Sequence, residues 1–241
     1  MNRRASARAL VIGIGGIGCP AALALARAGV GTIGLCDDDI VERSNLHRQI
    51  LFGDSDVGKP KVAAAARALG EAVPSLLLKT HEARLSPERA MALVGEYDIV
   101  LEGSDNFATK FLTADACALA RVPVVHASAV RWIGTALAVG ARCRPCYRCV
   151  FEDAPTDDVP NCAEAGVMGP VVGVVAAIQV DLALGLIDER DVAGAMVSFD
   201  GRTDAFRRHT VASRSECALC GISAGIRCID ARTYASLPCE T

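Results

Sequence analysis

Along the first half of the chain, short apolar runs alternate with longer stretches whose apolar positions recur at helical spacing. The run at 10–12 reads as a strand opening into a turn that carries Gly13, Gly15, Gly16 and Gly18. An alanine- and leucine-rich helix follows, and a second strand at 32–36 ends in Asp37, Asp38 and Asp39. Together these make a βαβ unit with a glycine-rich turn. The pattern then turns polar up to a helix starting near Lys61, continues with a strand at 76–80, and reaches a helix opened by Ser86 and Pro87. Those two residues suit an N-cap and a first turn. A strand at 98–101 runs into a loop at 102–106, a helix extends to about Ala120, and a strand at 124–129 closes the alternation.

Such alternation predicts an α/β fold, a Rossmann-like doubly wound, mostly parallel sheet with helices on both faces. Ligands of such sheets sit at the carboxyl ends of the strands, where the glycine turn, Asp37 and Asp105 all fall. From Thr135 onward the pattern changes to antiparallel strands, a cysteine cluster, a polar loop at 152–164, a buried helix, and strands near Val197 and Phe206. The expected organisation is one continuous domain over 1–241: a nucleotide-binding half at 1–130, an antiparallel, zinc-stabilised half at 131–221, and a tail at 222–241.

Composition narrows this picture. With 241 residues, 51% of them hydrophobic, the chain has ample material for a core. A net charge of -3 without a long basic run argues against a sequence-independent grip on nucleic acid. Arg3 and Arg4 ahead of an apolar run imitate a twin-arginine export signal, but the glycine turn and the acid-tipped strand account for that run as folded core. The stretch 165–187 nearly has the length of a membrane span, yet it contains Gly166, Gly169, Pro170, Gln179 and Asp181 and reads as a buried helix. Eleven cysteines at metal-like spacing, with no credible secretion signal, point to a reducing, cytoplasmic compartment.

Cys146 and Cys149, with Cys217 and Cys220, form two C-x2-C knuckles. Four thiolates complete tetrahedral zinc coordination and leave no open position, so the expected role is structural. Cys143 stands at the same spacing from Cys146 and leaves the pairing open; Cys19, Cys36 and Cys117 read as reduced core thiols. The glycine turn offers helix N-terminal N–H groups to phosphate, and the acids from Asp37 to Asp39 suit ribose hydroxyls. Asn45, Arg48 and Gln49 lie just beyond, with Lys61 following; cations beside a glycine turn suit a triphosphate, although a solvated loop carries the same composition.

Gly13-x-Gly-Gly-x-Gly18 with Asp37, then "SNLHRQILF", "GKPK", "GSDN", "CYRC", "NCAEAGVMGPVVG" and "CALCG", occur in the order seen in ThiF and MoeB. From about Arg8 to Gly221 the chain resembles this ThiF/MoeB/HesA family, bacterial relatives of the ubiquitin-activating enzymes, and is closest in pattern to ThiF. The resemblance implies ATP-dependent adenylation of the C-terminal glycine of a ubiquitin-like sulfur carrier ending in Gly-Gly, within a thiamine, molybdopterin or related pathway. It also implies a homodimer and, with no rhodanese-like region after the zinc knuckles, a separate sulfur donor. By that likeness Gly16 lies against the phosphates, Asp37 and Asp39 serve the ribose end, and Asn45, Arg48, Gln49 and Lys61 hold the triphosphate. Asp105, beside Asn106, holds Mg2+; Cys146, Cys149, Cys217 and Cys220 hold Zn2+; and Cys162 is the candidate for sulfur transfer. His47, His81, His126 and His209 are read as ordinary core or surface residues. Two features depart from the pattern. The family's in-trans arginine is missing or supplied by Arg3, Arg4 or Arg8, and the family's Asp-Cys-Thr-Asp-Asn reads Glu102-Gly-Ser-Asp105-Asn106 here. The competing readings are an NAD-dependent oxidoreductase and a zinc-stabilised scaffold without catalysis.

Overall fold

A computed structural model of the chain describes residues 3–153 and 166–235. In chain order its elements are α1 (Arg3–Ser6), β1 (Arg8–Ile12), α2 (Gly18–Arg27), β2 (Thr32–Cys36), α3 (Lys61–Ala72), β3 (Leu77–His81), α4 (Pro87–Gly95) and β4 (Ile99–Glu102). They continue with α5 (Phe107–Ala120), β5 (Val124–Val130), β6 (Ile133–Val139), α6 (Gly169–Ile187), β7 (Ala195–Asp200), β8 (Ala205–Thr210) and α7 (Ala231–Ala235). All the strands join one sheet in the order β3-β2-β1-β4-β5-β6-β7-β8. Pairing is parallel from β3 through β5 and antiparallel from β5 to β8. The chain winds outward from β1 to β2 and β3, then returns to place β4 on the other side, which opens a crevice beyond the carboxyl ends of β1 and β4.

Both faces of the sheet are covered because successive strand residues point to opposite sides. Ala9 and Val11 of β1 join the cluster under α2, α3 and α6, while Leu10 and Ile12 join the one under α4 and α5. Helix α6 is long and apolar enough, by length and composition, to cross a membrane. It lies instead against the sheet, with Val171, Val175 and Ala183 in the core. A Cβ at Gly134 of β6 would sit 2.0 Å from Val175 Cγ2, so the strand needs glycine for the helix to approach this closely.

The structure shifts several expected boundaries. The third strand begins at Leu77, where pairing to Gly31 starts, because Leu76 still closes a turn onto Val73. β6 starts two residues before Thr135 at the tip of its hairpin. Glu102, expected in a loop, is the last residue of β4 and is fully buried, because α5, β5 and α6 close over it. The short α1 was not expected; its Arg4 carbonyl accepts from Ala7 and Gly31.

Candidate active site

β1 ends at Ile12, and Gly13 turns the chain with φ +83°, a conformation open to glycine at little cost. A Cβ at Gly13 would also stand 2.9 Å from Ser104 N, so the turn after β1 and the loop after β4 meet backbone to backbone. Asp37 ties the turn to the end of β2: its Oδ2 accepts from Ile14 N–H at 2.6 Å and its Oδ1 from Asp39 N–H at 2.9 Å. Burial raises the Asp37 pKa above the usual carboxylate value, and Lys61 with those two N–H groups opposes the rise.

Around this junction lies a cleft of 510 Å³, within the usual range for small-molecule sites. Gly13, Gly15, Gly16, Asp37, Asp39, Asn45, Arg48, Gln49, Lys61, Asp105 and Asn106 line it. Gly18 stands back from the lining; it is the buried first residue of α2, and its backbone packs on the Gly13 carbonyl. The lining also includes residues that the sequence did not single out, among them Lys110, Tyr147 and Phe151. For Tyr147 a signal existed, an aromatic residue enclosed between two knuckle cysteines; for the others the pattern holds none.

Cations and acids face each other across the cleft. Lys61 Nζ donates to Asp39 Oδ2 at 2.7 Å. Burial favours the neutral amine, but Asp37, the hydrogen bond to Asp39, and Asp105 outweigh it and raise the Lys61 pKa. Arg48 Nη2 donates to Asn45 Oδ1 at 2.8 Å. Gln49 is buried beside the glycine turn with its Oε1 unpartnered. Its amide ends are interchangeable by rotation, so the free end suits an anionic ligand oxygen as a donor. Asp105 is exposed, while Asn106 next to it caps α5 by accepting from Thr109 N–H at 2.8 Å. None of the described lining residues is a histidine. His47 bonds the Ser44 carbonyl, His81 bonds Tyr97, and His126 is buried on Glu102.

The two knuckles converge as the spacing predicts. Cys146 Sγ lies 3.9 Å from Cys149 Sγ and 3.5 Å from Cys217 Sγ, and Cys149 Sγ lies 3.4 Å from Cys220 Sγ. Disulfides bond at about 2.05 Å, whereas four sulfurs at about 2.3 Å from a tetrahedral zinc stand about 3.8 Å apart. The buried four-sulfur set fits zinc. Cys143 is excluded from it: its sulfur turns back toward the Ala141 carbonyl. Cys19, Cys36 and Cys117 are buried free thiols, and burial pushes the first two up to about 12.

Arg148, inside the first knuckle, reaches Asp115 of α5 through Nε and Nη2, both at 2.8 Å, and its Nη1 holds the Glu152 carbonyl. Tyr234 of α7 donates to the same Asp115 at 2.7 Å. Cys162 lies outside the described residues. Arg3, Arg4 and Arg8 pair with Glu189, Asp188 and Asp98 of their own chain, at the amino-terminal edge of the parallel strands and opposite the cleft.

A model of the ThiF family matches residues 1–220. The adenylyltransferase and sulfurtransferase MOCS3 of Anopheles gambiae is 42% identical over 218 residues, covering 89% of this chain and 49% of that protein. The adenylyltransferase and sulfurtransferase uba4 of Aspergillus clavatus is 41% identical, covering 92% and 48%. The chain thus spans about half the length of the curated relatives it matches. Crystal structures of E. coli MccB share the fold: one superposes with a TM-score of 0.80 at 23% identity, covering 92% of this chain and 67% of that one, and another, of MccB with ATP, with a TM-score of 0.78 at 22% identity, covering 91% and 68%. The sheet order, the strand-end cleft and the family match over residues 1–220 lead to one conclusion: the chain belongs to the ThiF family.

Proposed function

We propose that this chain catalyses ATP-dependent adenylation of the C-terminal glycine carboxylate of a small ubiquitin-like sulfur carrier ending in Gly-Gly. The observation that carries the reading is the meeting of Arg48, Lys61, the glycine turn and Asp105 in one cleft. In this reaction the carrier carboxylate attacks the α-phosphate of ATP, pyrophosphate leaves, and the acyl adenylate becomes open to a sulfur nucleophile. Both reactants are anions, so the step depends on charge neutralisation and alignment more than on proton transfer. A cleft lining that carries Arg48, Lys61, Arg84 and Lys110 and no histidine among its described residues suits that demand.

In this reading Arg48 and Lys61 bind the triphosphate and stabilise the charge that collects on departing pyrophosphate. The amide of Gln49 and the N-terminus of α2 add donors, while Asp37 and Asp39 accept from ribose hydroxyls. Asp105 would hold Mg2+, which supplies charge neutralisation on phosphate oxygens when bound. The relatives' names, adenylyltransferase and sulfurtransferase, support the first half of this chemistry. Sulfur then comes from a separate donor, Cys162 serves that later transfer, and two copies of the chain form the working unit. Arg3, Arg4 and Arg8 are engaged within the chain, so the reading does not draw on them.

Exchange of labelled pyrophosphate into ATP, measured with and without carriers ending in Gly-Gly, tests the proposal. Carrier-dependent exchange is expected. Binding of NADH without binding of ATP would replace the reading with an oxidoreductase.

A further inference from the structure

Beneath the cleft floor lies a buried polar cluster that the reaction above does not use. Glu102, fully buried at the end of β4, has both carboxylate oxygens filled. Oε1 accepts from Ser104 N–H at 2.7 Å and from Ser104 Oγ–H at 2.5 Å. Oε2 accepts from Lys110 Nζ at 2.9 Å and pairs with His126 Nδ1 at 3.2 Å. Lys110 Nζ also donates to the Ala127 carbonyl, and Gln179 of α6 holds the Glu102 carbonyl at 2.9 Å. Burial works against the charge, but Lys110, His126 and Ser104 together hold the Glu102 pKa down to about 2.

This cluster fixes one side of a short loop. Ser104 is clamped by Glu102 through two hydrogen bonds and abuts Gly13 of the glycine turn. On the other side, Asn106 is fixed by its cap on α5. Between two pinned neighbours stands Asp105, exposed to the cleft. We propose that Glu102 is a positioning residue: by clamping Ser104 it sets the direction in which Asp105 presents its carboxylate, and so sets the affinity of the site for a divalent cation with nucleotide. The proposal rests on the assignment of Asp105 as the cation-holding residue.

A ligand placed about 1 Å from its productive position loses much of its effect. Glutamine at position 102 cannot reproduce the clamp, because its amide has donors on one end and either Ser104 or the Lys110–His126 pair would face a donor instead of an acceptor. Ser104→Ala removes only the hydroxyl half of the clamp, at a half-buried position. Ser104→Thr keeps the hydroxyl.

The test is Mn2+ binding to the full chain with a non-hydrolysable ATP analogue, read by electron paramagnetic resonance of free Mn2+, with thermal unfolding measured alongside. Ser104→Ala is expected to weaken Mn2+ affinity at least threefold with an unchanged unfolding temperature, and Ser104→Thr to bind within twofold of the parent chain. Glu102→Gln is expected to weaken it tenfold or more. If Ser104→Ala binds Mn2+ like the parent while Asp105→Ala loses at least tenfold, the positioning role is overturned and the cation assignment stands. If Asp105→Ala leaves Mn2+ affinity unchanged, the cation assignment falls and the positioning role falls with it.

Discussion

Removing Arg148 from the first knuckle tests how the cysteine cluster is joined to the rest of the domain. Arg148 is 5% exposed and Asp115 is 0% exposed, with a two-pronged pairing between them. Arg148→Met leaves the buried Asp115 carboxylate without its guanidinium partner, facing the Tyr234 hydroxyl. Breaking one side of a buried pair costs about 3–5 kcal/mol. At about 2–4 °C per kcal/mol for a domain of this size, the unfolding temperature should fall by about 6–20 °C. Tyr234→Phe removes one hydrogen bond to a charged acceptor and should cost about 1.5–3 kcal/mol. The informative variant is the double substitution Arg148→Met with Asp115→Leu, since apolar pairs of similar size often replace buried ion pairs without loss. Scanning calorimetry of zinc-loaded protein should show the double variant more stable than Arg148→Met alone. If the two losses simply add, the cost lies in packing around Phe111, over which the guanidinium sits at 4.8 Å, and not in an uncompensated charge.

Metal analysis should find one zinc per chain, lost in Cys217→Ser together with stability, because binding energy at a structural site is folding energy; unchanged zinc in that variant would exclude the four-sulfur site. Arg48→Ala and Asp105→Ala should each lower carrier-dependent pyrophosphate exchange tenfold or more, at least about 1.4 kcal/mol of transition-state stabilisation, with circular dichroism unchanged. Normal exchange in either folded variant would refute the assignment. Cys162→Ser should leave exchange near the parent rate and slow carrier thiocarboxylate formation, followed by mass spectrometry; full-rate thiocarboxylate formation would remove this cysteine from the chemistry. The Glu102 carboxyl, whose folded pKa of about 2 lies below the ordinary 4.5, stabilises the fold fully above pH 4.5 and loses that contribution as pH falls toward 2. Acid unfolding of Glu102→Gln should therefore be shallower than that of the parent over this window, and equal slopes would contradict the depressed pKa.

Local spacing determined much of this protein. The glycine turn, the acid-tipped second strand, the run of alternating elements and the two C-x2-C pairs are each written within a few residues, because turn geometry and strand-end chemistry depend on near neighbours. The approach of the knuckles, 71 positions apart in sequence, followed from the thiolate count that zinc requires. Other features belong to the tertiary structure alone. The sequence leaves Cys143 and Cys149 at the same spacing from Cys146, and only the turn of the chain aims the Cys143 sulfur away from the cluster. Glu102 looks like a loop acid until α5, β5 and α6 surround it with Lys110, His126 and Gln179. Arg4 and Arg8 stand in the sequence as candidates for an arginine that reaches a partner subunit, and folding instead brings Asp188 and Asp98 to them. The small and polar residues of α6 already mark it as a buried helix, but which face of the sheet it covers is decided by the close approach at Gly134 and the two carbonyls that Gln179 holds. Burial and the identity of a distant partner are properties of the packed chain, and they set which charges are held as pairs and which, like Asp105, are left facing the cleft.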